Sequence, residues 1–301
     1  MKAVYKRDYE VEKLNILIAL IPAIGWGIFP LIASKTGGNP SNQILGTGLG
    51  ATLVGLLVFI FTKPAMDMQS FIIAFIAGAL WTIGQLGQFV SMRPERMGVT
   101  TTMPISTGLQ LVGNSIIGML FLGDWKGVQA KTLGIIALAI VVLGVVLTAK
   151  TDDRDGGTAS VKDVLFLGVT TIGYWVYSSF PNLPQVKEVS PQSLFLPETL
   201  GILCGAALYV LFSKQAKEFS AKSTWLGMIP GAAWGIAAYA YIFSAQANGS
   251  TTAFIFTQLC VLISTIGGMV FLHEKKTATE LKFTIAGLAL IVIGSVMTGF
   301  I

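Results

Sequence analysis

Of the fifteen Asp and Glu in 301 residues, fourteen fall in short charged segments between long apolar runs. The exception is Glu198, within PQSLFLPETLGILCG at residues 191–205. If a helix begins near Pro191, Glu198 lies about 10 Å along it at about 1.5 Å per residue. A carboxylate at that depth in a membrane costs several kcal/mol, so it should face a protein interior or an aqueous cavity. Such a group can take up a proton on one side and release it on the other, coupling the movement of a solute to a proton gradient. Pro197 removes a backbone donor beside it, which suits a kinked helix near a site. The bland alternative is a helix that starts later, with Glu198 at the interface.

Amides form the next group: Gln85 and Gln88, Gln110 and Asn114, and Gln258, all inside apolar runs. Gln110 and Asn114 are four apart and share a helix face. Singly, each amide suits helix–helix hydrogen bonding. Together, without buried charge pairs, they suit a neutral, hydroxyl-rich solute better than an ion. Trp26, Trp81, Tyr174, Trp175, Tyr177, Trp234 and Tyr239 also lie within the runs, several away from the interfacial belt where Trp and Tyr collect. Aromatic faces can cover the C–H face of a sugar while amides bond its hydroxyls. Core packing is the competing role for each ring.

The elements that must hold these groups follow from composition. Hydrophobic residues make up 53% and charged residues 12%, and the mean hydropathy is +0.72, too apolar for a water-covered surface. Lipid is therefore the expected solvent. Apolar runs of about 20 residues each span a bilayer, and ten occur near 14–34, 43–62, 70–91, 98–122, 130–150, 161–180, 192–212, 224–245, 250–272 and 280–301. TLGIIALAIVVLGVVLTA (132–149) in the fifth and FTIAGLALIVIGSVMTGF (283–300) in the tenth contain no amide or charge, so these two should be peripheral. The net charge of +5 sits in short loops and reads as an orientation signal, not a nucleic-acid footprint. Cys204 and Cys260 both lie in apolar runs, so neither a disulfide framework nor a metal or cofactor site is expected. Residues 1–13 are a charged tail unlike a secretory signal.

The polar insert 151–160 divides the chain into residues 14–150 and 161–301, and the halves resemble one another. GALW (78–81) returns as GAAW (231–234), GVTTTM (98–103) as GSTTAF (249–254), GMLFLGDWK (118–126) as GMVFLHEKK (268–276), and VLGVVLTA (142–149) as VIGSVMTG (292–299). The copies lie about 150 residues apart. With five crossings each, the second copy must enter the membrane inverted, an arrangement characteristic of secondary transporters with alternating access. The loops after odd-numbered spans hold twelve Lys and Arg against eight on the other side, which leans towards both termini outside. Gly46 and Gly50, Gly201 and Gly205, and Gly227, Gly231 and Gly235 recur four apart, as closely packed membrane helices require. An intramembrane enzyme is not expected. The one histidine, His273, sits at a span end beside Glu274, and no H-E-x-x-H or G-x-S-x-G motif occurs.

The first hairpin carries the most specific signal, LIALIPAIGWGIFPLIASKTGGNPSNQILGTGLGA. Trp26-Gly27 and Pro30 soften the first helix, and Asn42 and Gln43 can cap the second or offer amides to a cavity mouth. The GWG-x-x-P run together with NPSNQ-x-LGT closely resembles the bacterial glucose/ribose porter family of the drug/metabolite transporter superfamily, from about residue 14 to the C-terminus. The resemblance implies an all-α integral membrane protein of ten helices in two inverted five-helix repeats around a central cavity. It also implies monosaccharide uptake with a proton as coupling ion, in a bacterial plasma membrane. Export of a drug or metabolite is the runner-up within the superfamily. Against it, the nearest match to Glu198 in the second span is the uncharged Thr47.

Overall fold

In the computed structural model the apolar runs are helices. The structure describes residues 2–122, 125–150, 160–248, 253, 256, 257, 259–299 and 301, the side chains of residues 2–16, 122, 247, 248, 298 and 299 excepted. Helices α1 (Lys2–Thr36), α2 (Pro40–Thr62), α3 (Met68–Ser91), α4 (Gly98–Ile117) and α5 (Val128–Thr148) make up the first half. The second half holds α6 (Val161–Thr170), α7 (Ile172–Ser179), α8 (Pro191–Phe212), the short α9 (Lys222–Leu226), α10 (Met228–Asn248), α11 (Leu259–Phe271) and α12 (Ala278–Gly299). Among the described residues, eight helices are long and apolar enough to cross a membrane, and Leu259–Phe271 is a shorter apolar one. The sixth apolar run is broken at Thr171 into α6 and α7, with the Thr171 hydroxyl donating to the Leu167 carbonyl at 2.7 Å. The polar insert lies outside the described residues but for Ser160.

Two boundaries differ from the sequence expectation. The backbone of α1 is helical from Lys2, so the charged tail continues the first helix; its Lys, Glu and Arg are good helix formers. Helix α1 also runs unbroken through Pro22, Gly27 and Pro30, and α8 through Pro197.

Helix starts follow local capping chemistry. Asn39 caps α2, its side chain accepting from the Asn42 N–H while the Asn42 side chain accepts from the Asn39 N–H, both at 3.0 Å. Asp67 accepts from the Ser70 N–H at 2.9 Å ahead of α3, and Ser190 from the Ser193 N–H at 3.3 Å ahead of α8. Helix α4 has no side-chain cap of its own. Glu274, from the loop between α11 and α12, supplies one: its two oxygens accept from the Val99 and Thr100 N–H groups, each at 2.7 Å. A carboxylate there satisfies two orphan donors and complements the positive end of the helix dipole.

Packing joins the two halves. Helix α2 lies against α8 and α10, α3 against α8 and α7, α1 against α10 and α11, α4 against α11, and α5 against α12. The glycine rows set the closest approaches: a Cβ on Gly46 would sit 2.6 Å from the Thr224 carbonyl oxygen, and one on Gly231 2.7 Å from the Thr47 Cα. As the sequence indicated, α5 and α12 present apolar residues outward, among them Ile135, Val146 and Ile285.

Replacing Glu274 with Ala is expected to destabilise the protein by about 1–2 kcal/mol, as loss of a good cap does. Thermal unfolding in detergent reads this directly. An unchanged transition would mean that solvent caps α4 equally well.

Candidate functional site

Two glycines flank the first aromatic of the site. Gly25 lies against Ala237 of α10 and Gly27 against Ile263 of α11, so α1 wedges between those helices and Trp26 reaches the interior. There, a small chamber of about 60 Å³ is lined by residues of α1, α3, α4, α7, α10 and the α11 segment. Trp26, Trp81, Gln85, Gln88, Gln110, Tyr174 and Trp234 of the expected set line it. Tyr177, another of the aromatics singled out in the sequence, lines it too, together with Phe29, Met103, Thr107, Ser178, Thr257 and Cys260. Ligand pockets typically run about 300–1,000 Å³, so the chamber is smaller than a typical ligand site.

One wall is a chain of polar side chains. The Tyr174 hydroxyl donates to Gln85 Oε1 at 2.8 Å, and Gln85 Nε2 donates to Gln88 Oε1 at 3.1 Å. Gln88 Nε2 donates to the Ser106 hydroxyl at 3.0 Å, and Gln110 Nε2 donates to the same oxygen at 3.2 Å. Spacing explains the chain: Gln85 and Gln88 are three apart on α3, and Ser106 and Gln110 four apart on α4, so each pair shares a face. Trp26 Nε1, by contrast, is buried with no hydrogen-bond partner among the described residues. The other wall is aromatic, with Trp81 and Trp234 centroids 4.4 Å apart and Tyr177 5.9 Å from Trp234.

Glu198 is fully buried on α8, which begins at Pro191. It stands behind the chamber wall: the Tyr177 hydroxyl donates to its Oε1 at 2.8 Å. Its Oε2 has no partner among the described residues. The helix thus starts at Pro191, as the deep placement of Glu198 requires, and the carboxyl lies inside the protein.

The remaining expected residues are placed elsewhere. Asn42 serves the α2 capping box and donates to Glu218 Oε2 at 2.6 Å and to the Thr224 hydroxyl at 3.0 Å. Gln43 closes the α1–α2 turn by donating to the Ala33 carbonyl at 3.1 Å. Trp175 ties α7 to α4 through a 3.0 Å bond from its indole N–H to the Leu109 carbonyl. Tyr239 packs on Phe195 and Phe243. The Asn114 amide is buried with neither atom partnered among the described residues and does not line the chamber. Gln258 lies outside the described residues.

A second cavity, about 760 Å³, opens at the bundle end formed by the α1–α2, α3–α4 and α11–α12 loops. Gln43, Arg93, Arg96 and Lys275 are among the residues that line this vestibule. Arg96 pairs with Asp163 of α6 at 2.7 Å. Lys276, also in the wall, donates to the Thr101 hydroxyl at 3.3 Å. Burial lowers its pKa, partly opposed by the nearby Glu280 and Glu274 carboxylates.

A multi-span helical membrane protein with a polar and aromatic chamber at its centre belongs to the class of small-solute transporters. Comparison with known proteins makes this specific. The Sugar transport protein family matches residues 17–301. A Lactobacillus helveticus protein provisionally named a sugar uptake protein is 45% identical over 94% of this chain and 99% of its own length. A Latilactobacillus sakei protein provisionally named the ribose uptake protein RbsU is 39% identical over 97% of this chain and its own full length. A solved crystal structure, 16% identical, superposes with a TM-score of 0.65 over 95% of this chain and 96% of its own length, a likeness in fold. The chain belongs to the sugar transport protein family. It is a multi-pass bacterial membrane protein, a transporter and not an enzyme.

Two substitutions separate the roles of the buried polar groups. Tyr174→Phe strands the Gln85 carbonyl oxygen and is expected to destabilise by about 1–3 kcal/mol. Asn114→Leu removes an unpartnered buried amide while keeping the branch at Cγ, and is expected to be neutral or stabilising. Thermal unfolding of both variants in one detergent makes the comparison. A large loss in Asn114→Leu would show that its amide is satisfied in the membrane.

Proposed function

We propose that this protein imports a monosaccharide, glucose or ribose, by proton symport with alternating access. The observation that carries the reading is the chamber itself. A line of amides and hydroxyls stands opposite indole rings, complementary to the hydroxyl edge and the C–H face of a sugar. The names of the relatives support a sugar as cargo. Gln85, Gln88, Gln110, Trp26, Trp81, Tyr174 and Trp234 are the side chains we assign to it. Asn42, Gln43, Asn114, Trp175 and Tyr239 have no contact in this conformation that supports a binding role, and Gln258 lies outside the described residues.

The two halves, residues 14–150 and 161–301, act as inverted five-helix units in this reading. Their mutual packing supports it: where α1 lies on α10, its counterpart α7 lies on α3, and where α2 lies on α10, α8 lies on α3. Rocking of one unit against the other would expose the chamber alternately to the two sides. Glu198 is the proton carrier. It is a buried carboxyl within hydrogen-bonding reach of a chamber-lining hydroxyl, which supports a link between its protonation and occupancy of the site.

Uptake of labelled monosaccharides into proteoliposomes, with and without an imposed proton gradient, tests the proposal. Gradient-stimulated accumulation of one or a few sugars is expected, and accumulation of none would overturn it. Glu198→Gln keeps shape and hydrogen bonding but cannot titrate. It should abolish gradient-driven accumulation while sugar-for-sugar exchange continues. Loss of both activities would make Glu198 a ligand or structural residue, and loss of neither would remove it from the mechanism. Gln110→Ala should weaken apparent sugar affinity by about 1–2 kcal/mol, roughly five- to thirtyfold. Unchanged affinity would assign Gln110 to helix packing.

A further inference from the structure

The chamber and the vestibule are lined by neighbouring turns of the same helices. On α3, Gln88 lines the chamber while the next residue, Phe89, lines the vestibule. On α4, Thr101 lines the vestibule and Met103 the chamber. On each of these helices the two cavities are thus lined from within a single turn, a span of about 5 Å along the axis. Phe29 of α1 lines the chamber, and its ring meets that of Phe89 at a centroid distance of 5.7 Å and an interplanar angle of 48°. Both rings are nearly inaccessible, at 3% and 1% exposure.

Away from the vestibule the chamber is closed by a deeper stack. Trp81, Tyr177 and Trp234 contact one another, Tyr177 also contacts Phe180, and Tyr241 packs on Trp26. The Tyr241 hydroxyl reaches the Ser178 carbonyl at 3.4 Å. One face of the chamber is thus a pair of rings and the other an interlocked cluster.

We infer that Phe29 and Phe89 form the gate through which solute passes between vestibule and chamber, and that the aromatic cluster keeps the opposite side shut in this conformation. Two phenyl rings without polar atoms suit the role. They exclude water while packed, and turning them aside breaks no hydrogen bond. The two rings belong to different helices, α1 and α3, so a small relative shift of those helices parts them. The inference rests on the chamber being the transport site, but its test needs no substrate.

Cys260 lines the chamber, whereas Cys204, half-buried on α8, does not. In a Cys204→Ser background, the rate at which N-ethylmaleimide alkylates Cys260 in detergent micelles reports access to the chamber. Phe29→Ala and Phe89→Ala should each raise that rate roughly tenfold or more, because the cost of local opening falls. Phe89→Leu should lie between wild type and Phe89→Ala, and it serves if the alanine variants do not fold. The same Phe substitutions in a Cys260→Ser background should leave Cys204 alkylation unchanged. An unchanged Cys260 rate would overturn the gate, as would a parallel rise at Cys204, which signals general loosening. The sugar-uptake panel fails independently: faster Cys260 labelling in a protein that moves no sugar would leave the gate standing and remove the substrate.

Discussion

A polar group left without a partner in hydrocarbon costs several kcal/mol, and this cost organises the whole molecule. It forces the backbone into helices, sends every charged side chain but one among the described residues to the ends of the bundle or its loops, and gathers Gln85, Gln88 and Gln110 at the centre. The Tyr174–Gln85–Gln88–Ser106–Gln110 chain is the result: each amide satisfies the next, across three helices. Glu198 obeys the same constraint less completely, with one oxygen bonded to Tyr177. A binding site in lipid must be assembled from groups that can satisfy one another when no solute is present. Glutamines and hydroxyls, which both donate and accept, are suited to that double duty.

Close backbone approach is what lets these helices bring short side chains together. Gly46, Gly231 and their neighbours hold α2 against α10, and Gly201 and Gly205 hold α8 against α3. The latter contact sets Glu198 beside α7 and its Tyr177. Loop chemistry then ties the halves at the vestibule end. Glu274 of the second half caps α4 of the first, and Glu218 of the second half holds Asn39 and Asn42 of the first at 3.1 and 2.6 Å. These are carboxylate clasps on backbone and amide donors, stronger than neutral hydrogen bonds.

Much of this was legible in the sequence. The apolar runs predict the helices because their length and punctuation are set by bilayer thickness, and α8 begins at Pro191, where a fixed φ and the preceding Ser190 favour a start. Glu198 and Gln88 were legible because a polar residue in an apolar run has few places to go. The failures have equally physical causes. Phe29, Met103 and Cys260 line the chamber yet have the same character as core residues. Trp175 and Tyr239 resemble the chamber aromatics in type but differ in helix phase, which composition does not encode. For Asn42 the sequence leaves capping and a cavity role open, and its amide is taken by the capping box and by Glu218, a partner 176 residues away that no local pattern announces. Ser106 could have been found: it lies four residues before Gln110, on the same face.

The unequal thickness of the two closures has an electrical consequence. Water filling the 760 Å³ vestibule carries the potential of its own side to within about one helical turn of the chamber. Under the inferred gate, the membrane voltage is concentrated on the Phe29–Phe89 partition and the protein beyond the chamber rather than spread over the full bilayer. A charge crossing them does the matching share of the work of crossing the membrane, which for the full drop is about 2.3 kcal/mol per elementary charge at 100 mV. In the proposed reading Glu198, bonded to Tyr177 of the aromatic cluster, carries its proton through this field.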